Sequence, residues 1–453
     1  MPERTKALGT EPIRKLLLRL ATPSVASLGV LALYNVVDAI FVGHGAGTLA
    51  IAGIGVAFPI FLLTLGIGQL VGVGGASLLS RALGQGDMRL ARRTLGNTIT
   101  LGMIVSALIS ALGLIYRVPL VRFAGATTDI LPHAVSYISV ILGGSFALIL
   151  ASLFSATVRA QGDAARATVP LIASGVLNIA LDPIFIFGFK MGAAGAAWAT
   201  IIASGLGVAY YIVHIFGPKA RLRLRLRHLL LRPRATVSIL SVGAASFVGI
   251  FAASASTVVI NRALGLYGGD LPIAIYSVVN RIVTFSRMPV FGVVDGAQPI
   301  YGYNFGAGNY PRVVAAIRYV LRTVLVLASV FWVLFLLIPR EFLSVFSSDP
   351  RLLSEGAYAL RIIVLVIPLL ALQAVVGGFY QALGHAAKAL AVSLLRDLAL
   401  LIPAVIVLSA FFRTTGVWMA FPVADVISAV IVAPLLVREI RKLQRLKPRP
   451  GPV

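Results

Sequence analysis

Asn178 and Asp182 sit in an otherwise apolar run, Leu177-Asn178-Ile179-Ala180-Leu181-Asp182-Pro183-Ile184-Phe185. Four residues apart, the amide and the carboxylate share one face of a helix. Pro183 donates no N–H, so the carbonyl of Ile179 loses its helical partner and the helix can bend there. An ionisable group at the centre of a membrane helix costs on the order of 3 kcal/mol. So apolar a chain keeps one only where it is hydrated, paired or bound to a cation. Asp38 and Thr200 are the other polar residues in neighbouring apolar runs that could join this pair. Two carboxylates, an amide and a hydroxyl form a hard oxygen set, suited to Na⁺ or to a proton shared by the acids. The plainer reading is that each group makes only a helix-packing hydrogen bond.

The elements that would position these residues are membrane helices. The chain has 453 residues, is 59% hydrophobic and carries a net charge of +24, with a mean hydropathy of +0.97. That composition excludes a soluble domain and fits an all-α polytopic membrane protein. The basic residues sit in short clusters between apolar runs, a spacing explained by the positive-inside rule and not by nucleic-acid binding. There is no cysteine, hence no disulfide or thiol chemistry. Residues 1–14 are polar and lack a cleavage site, so the first apolar run is expected to stay as a membrane helix.

Runs of roughly 20 apolar residues each span a bilayer. Twelve are expected, beginning near Leu16, Ile51, Thr94, Ile130, Ala167, Ala193, Thr236, Leu271, Val313, Leu352, Ala387 and Gly416. With twelve spans, all the basic clusters fall on one side, among them Arg89 to Arg93, Lys219 to Arg234 and Arg438 to Arg449. Both termini and the central linker are therefore expected in the cytoplasm, with the protein in the cell membrane. Arginine alternates with leucine over Arg221 to Arg227, which reads as a basic stretch on the membrane surface, with a strand as the alternative.

The halves repeat. Gly74, Gly84 and Gly86 recur as Gly296, Gly306 and Gly308, 222 residues later, and the same offset places Gly162 on Gly384. Six spans per half give both halves the same membrane orientation, and transporters built this way bind substrate between the halves and rock them. The expected organisation is an N-lobe over 1–217, a basic linker over 218–235, a C-lobe over 236–437 and a basic tail over 438–453. At the same offset Asp38, Asn178, Asp182 and Thr200 meet Ile260, Leu400, Ala404 and Pro422, so the polar set belongs to the N-lobe alone. Rise per residue puts Asp38 and Asp182 each roughly 8 Å below the outer surface, and Thr200 roughly 10 Å below it.

These motifs together resemble the multidrug and toxic compound extrusion (MATE) transporters. The matching text is Tyr34-Asn35-Val36-Val37-Asp38, Arg159-Ala160-Gln161-Gly162-Asp163, LNIALDPIFIF followed by Met191 to Thr200, and Gly296-Ala297-Gln298-Pro299 through Asn309. The resemblance covers nearly the whole chain. It implies twelve helices in two six-helix lobes and export of cationic or amphipathic organic compounds by antiport with Na⁺ or H⁺. The acid pattern looks like the DinF-type branch, which implies Asp38, Asn178, Asp182 and Thr200 as the cation-coupling residues and a bend of the first helix at Pro23. The NorM-type pattern has acids in helices 7 and 10, where this chain offers Arg262 and Arg361. Late in helix 4 the family's amide is replaced by Ser152-Leu153-Phe154-Ser155, a departure from the pattern.

Tyr34, Asn35, Tyr137 and Ser155 are candidates for the substrate cavity. Arg262, Asp295, Asp397 and Asp425 are C-lobe candidates, read as interhelical ion pairs or substrate contacts. Arg287 and Asp295, eight residues apart on helix 8, are expected to pair, and Arg262 to snorkel or to pair with Asp295 or Asp425. Beyond a coupling ion no cofactor is expected, and no enzymatic activity. The partners expected are small organic cations or amphipathic drugs and the lipid bilayer, not nucleic acid, with function as a monomer. A lipid-linked precursor flippase, using Arg262, Arg281, Arg287 and Arg361, is the alternative; an aspartyl dyad of Asp38 and Asp182 is disfavoured by the Asn and Thr beside it.

Overall fold

The computed structural model describes residues 3–446, except 125, 127, 129, 218–221, 223 and 347–349; the side chains of 3–6, 31–40, 43–49, 51, 52, 226 and 270 also lie outside the described set. The described regular structure is helical, with no strand. The first two spans form one continuous helical run, Ile13–Gly84, the second of them over Gly53–Gly84. The third is Met88–Ile115, and the fourth is a pair, Leu131–Gly143 and Ser145–Ala160, bent by 51°. The fifth, Ala164–Pro183, ends in a π turn over Ile184–Gly188, and the sixth is Ala193–Phe216. The C-lobe repeats the order with Pro233–Gly268, Asp270–Gly306 and Tyr310–Leu337, then a tenth span, Pro350–Ile363 and Ile367–Leu383, again bent by 51°. The last two spans occupy Ala386–Arg445 and meet at Arg413. Large apolar side chains such as Val213 (73%) and Phe411 (76%) are exposed on the outside of the bundle, the surface that lipid solvates.

Local chemistry sets the turns. Gly86 (φ 75°) and Gly308 (φ 73°) take the left-handed conformation that ends spans 2 and 8. Asp87 and Asn309 then cap the next helices, accepting from Leu90 N (2.8 Å) and Arg312 N (3.3 Å). The linker is strapped to span 3: Thr100 Oγ1 donates to Leu229 O (2.7 Å) and Arg232 N to Asn97 Oδ1 (2.7 Å). No described linker residue is in a strand; 226–228 form a 3₁₀ turn.

Three apolar cores reveal how the lobes sit. One, from Leu79 and Leu95 to Ile300 and Phe379, draws on both lobes at the end of the bundle that carries the basic clusters. The other two are separate. Val42, Phe61, Ile138 and Ile186 form an N-lobe core, and Ile260, Tyr276, Phe335 and Val405 a C-lobe core. The lobes are thus fused at the basic end and part towards the opposite end. The fusion is symmetric. A Cβ on Gly84 would lie 1.9 Å from Tyr303 O, and one on Gly306 would lie 2.2 Å from Arg81 O. These are the same contact seen from the two repeats, so the pseudo-two-fold axis passes between spans 2 and 8.

Candidate functional site

Spans 5 and 6 bring three of the four expected cation-coupling residues into one buried region. Asp182 has 0% exposure, Asn178 2% and Thr200 5%. Asn178 Nδ2 donates to Thr200 Oγ1 (3.3 Å), and Thr200 Oγ1 donates to Ala196 O (3.0 Å). Small residues allow the approach: Ala193, Ala196, Ala197, Ala199 and Ala203 are all buried on span 6. Pro183 follows the carboxylate, and the helix passes at once into its π turn, the local widening expected where a proline interrupts the hydrogen-bond ladder. With Nδ2 committed to Thr200, the atom Asn178 can offer a cation is Oδ1. Together with the Asp182 carboxylate and the Thr200 hydroxyl, it makes an all-oxygen donor set that fits Na⁺ or a proton. A carboxylate so deeply enclosed is stable only when its charge is compensated.

Asp38, Tyr34 and Asn35 lie outside the described residues. Pro23 is partly buried inside a helix that continues through it. Tyr137, 7% exposed, packs in the N-lobe core. Ser155 Oγ donates to Ala167 O (3.2 Å), tying span 4 to span 5.

The C-lobe charges are arranged differently from expectation. Asp295 does not pair with Arg287. Its Oδ1 accepts from Gln298 Nε2 (3.2 Å), and its Oδ2 lies 3.7 Å from Nη1 of Arg159, on span 4 of the other lobe. Eight residues of helix span roughly 12 Å, so Arg287 sits deeper in its own lobe. Arg159 also donates to Ser24 Oγ (3.1 Å). Arg159 and Asp295, with Gln69, Ser77, Ser80 and Gln298, are among the residues lining a small cavity between the lobes. This inter-lobe pairing was missed because its partners are 136 residues apart and no local pattern joins them.

Asp425 does pair between helices. Arg396 Nε donates to its Oδ1 (2.7 Å), and Arg396 Nη1 donates to Asp397 Oδ1 (2.5 Å). Arg396 and Asp425 are 4% and 3% exposed. Arg396 and Asp397 sit on a second π turn, Leu395–Leu401, and Ser256 on span 7 donates to Asp397 O (2.7 Å). Arg287 lies within electrostatic reach of Asp425, Asp397 and Arg396. Arg262 is exposed and pairs with neither Asp295 nor Asp425: Arg396 has taken Asp425, and Arg159 has taken Asp295. The arginines on which a flippase would rely do not gather. Arg262, Arg281 and Arg361 are exposed, Arg361 Nε donates to Leu336 O (3.1 Å), and Arg287 is enclosed in the C-lobe.

Comparison with known proteins supports this architecture. The MatE family model matches twice, over residues 23–184 and 245–407, two segments whose starts are one repeat apart. The chain is 25% identical over 409 residues to the multidrug export protein MepA of Staphylococcus saprophyticus, covering 90% of each chain. It is also 25% identical over 432 residues to MepA of Staphylococcus aureus, covering 95% of this chain and 94% of the relative. Among solved structures, an outward-facing multidrug resistance MATE transporter of the MOP superfamily superposes with a TM-score of 0.93 at 23% identity, over 98% of this chain and 99% of the other. A MOP superfamily transporter from Pyrococcus furiosus superposes equally well, at 0.93 and 23%, over 98% and 99% of the two chains. With apolar, membrane-length helices in two repeated lobes and the family model matched in each, the chain belongs to the MatE family of integral membrane transporters.

Proposed function

We propose that the chain is a secondary active multidrug exporter that exchanges Na⁺ or H⁺ for cationic or amphipathic organic compounds. One observation carries the reading: Asp182 and Asn178, fully enclosed in the N-lobe and joined to Thr200 across spans 5 and 6, form a buried oxygen site with no counterpart at the matching C-lobe positions. The export activity named for the staphylococcal relatives supports the substrate class. The clustering of basic residues supports a cytoplasmic basic end, which makes the present arrangement closed to the cytoplasm and open outward.

The coupling ion is cargo. Entering from outside, it neutralises Asp182 and is held by Asn178 Oδ1 and Thr200 Oγ1; Asp38 is assigned to the same site from the motif. A cation drives export only by binding two lobe arrangements with different affinity. Turning a 1:99 population into 99:1 requires about a 10⁴-fold difference, a scale available to a buried carboxylate whose charge is compensated in one state and not in the other. Release on the cytoplasmic side requires the fused basic end to part, so the shared core and the Arg159–Asp295 contact must separate in each cycle.

The experiment is efflux of a fluorescent organic cation from proteoliposomes under an imposed Na⁺ gradient or an imposed pH gradient, with wild type and Asp182→Asn in parallel. One gradient should drive export, and the variant should be inactive while keeping its melting temperature. Export by Asp182→Asn at the wild-type rate would refute the assignment.

A further inference from the structure

The N-lobe site is built on spans 5 and 6, whose repeat counterparts are spans 11 and 12. In the N-lobe, one turn towards the basic end from Asn178, Ser174 Oγ donates to Ala203 O (2.8 Å), linking residues 29 apart. Arg396 and Asp425 are also 29 apart, and both are displaced from Ser174 and Ala203 by the repeat offset of 222. The C-lobe has therefore put a guanidinium–carboxylate pair where the N-lobe has a hydroxyl–carbonyl hydrogen bond. Asp397 joins from span 11, and Ser256 brings in span 7, the counterpart of span 1.

The charges in this cluster balance. Asp397 and Asp425 contribute two negative charges, Arg396 and Arg287 two positive charges. Arg287 Nε is buried with no hydrogen-bond partner among the described residues, so Arg287 counters the acids through space and Arg396 does so by contact. A neutral, largely buried cluster has no demand for a cation from solution. Without Arg396 the cluster would carry one net negative charge, from two carboxylates against Arg287, and with the Ser256 hydroxyl it would present a hard oxygen set of the N-lobe type.

We propose that the C-lobe carries a cation site of the same class as the N-lobe site, occupied permanently by the tethered Arg396 guanidinium. The C-lobe is thereby held in its cation-loaded packing, and the exchangeable monovalent cation acts on the N-lobe alone. The functional consequence rests on the proposed N-lobe site; the latent C-lobe site does not, and it is tested separately.

The test uses the purified full chain with Asp182→Asn to silence the N-lobe. Thermal stability is followed against Na⁺, with choline balancing the ionic strength, and against pH. The parent should show no saturable response to Na⁺, and only the pH dependence set by groups outside the cluster, such as His228. Adding Arg396→Met should create a stabilisation that saturates with Na⁺ or with protons, with at least tenfold higher apparent affinity than any residual response of the parent. Adding Asp425→Asn to that variant restores neutrality and should remove the response. Where Arg396→Met does not survive purification without the cation, recovery in saturating Na⁺ or at acid pH supports the site. The reciprocal variant, Asp425→Asn alone, leaves the cluster at +1 and should become sensitive to chloride against gluconate. An Arg396→Met variant blind to Na⁺ and pH, a response that persists with Asp425→Asn, or an Arg396→Met variant lost in every buffer together with a halide-blind Asp425→Asn would each overturn the proposal.

Discussion

Gly84 and Gly306 offer the sharpest perturbation of the lobe interface. A methyl group on either would sit 1.9 or 2.2 Å from a backbone carbonyl of the facing span, where ordinary contact needs about 3.5 Å. Backbone cannot rotate out of the way, so spans 2 and 8 must separate by roughly 1.5 Å on the pseudo-symmetry axis. Overpacking of this kind costs about 1–3 kcal/mol, and the cost falls only on the arrangement in which the basic ends touch. Gly306→Ala should therefore shift the population towards parted basic ends by about 5- to 150-fold. Gly84→Ala should do the same, and the double variant should add little, because the first methyl has already opened the contact. The chain lacks cysteine, so spin labels can be placed on Ala165→Cys and Ala387→Cys, exposed repeat equivalents at the starts of spans 5 and 11, and their separation read by pulsed electron resonance. Longer distances should gain weight in both single variants. Unchanged distances and melting temperatures, or fully additive effects, would refute the reasoning.

Other expectations follow from single contacts. Arg413 holds φ 53°, ψ −130°, nearly the conformation of Gly192 (φ 56°, ψ −132°) at the matching N-lobe junction; Arg413→Gly should stabilise by about 1 kcal/mol, read as a higher melting temperature, and a drop would show the strain is absent. Thr200→Val removes the oxygen that accepts from Asn178 and should weaken cation affinity about tenfold, with Thr200→Ser near wild type in cation-dependent efflux. Arg159→Gln cuts a partly exposed pair worth under about 1 kcal/mol, so it should lengthen the Ala165–Ala387 label distances slightly and leave the melting temperature within a few degrees. His228 Nδ1 accepts from Arg225 N (2.9 Å), and burial, then Arg227 and Arg92, pushes the imidazole below its usual value of 6.5. The docked linker thus binds fewer protons than the released one, its docking is complete above about pH 6.5 and weakens as pH falls below it. Tryptic cleavage at Arg225 and Arg227 should accelerate in that window, and a His228→Gln variant showing the same pH dependence would assign the effect elsewhere.

Much of the architecture was legible in the residues. Apolar runs of bilayer length located the spans, because a helix in lipid must be apolar along its length and long enough to satisfy its own backbone. Gly86 and Gly308 stood out in the repeat, and the turns they make with Asp87 and Asn309 are local, since left-handed backbone and a side-chain acceptor at the next helix start depend on neighbouring residues alone. The pairing of Asn178 with Thr200 was within reach because spans 5 and 6 are adjacent antiparallel helices and depth can be counted from their shared turn.

The tertiary structure alone decided the partners of the remaining charges. Rise along helix 8 suggested Arg287 for Asp295, but the acid faces the other lobe and meets Arg159, while Arg287 turns into its own lobe. Sequence spacing describes one helix at a time, whereas an ion pair across lobes depends on how two repeats dock. The same limit applies to Gly84 against Tyr303 and Gly306 against Arg81. The repeat could be counted in the chain, but the axis relating its halves exists only where they touch.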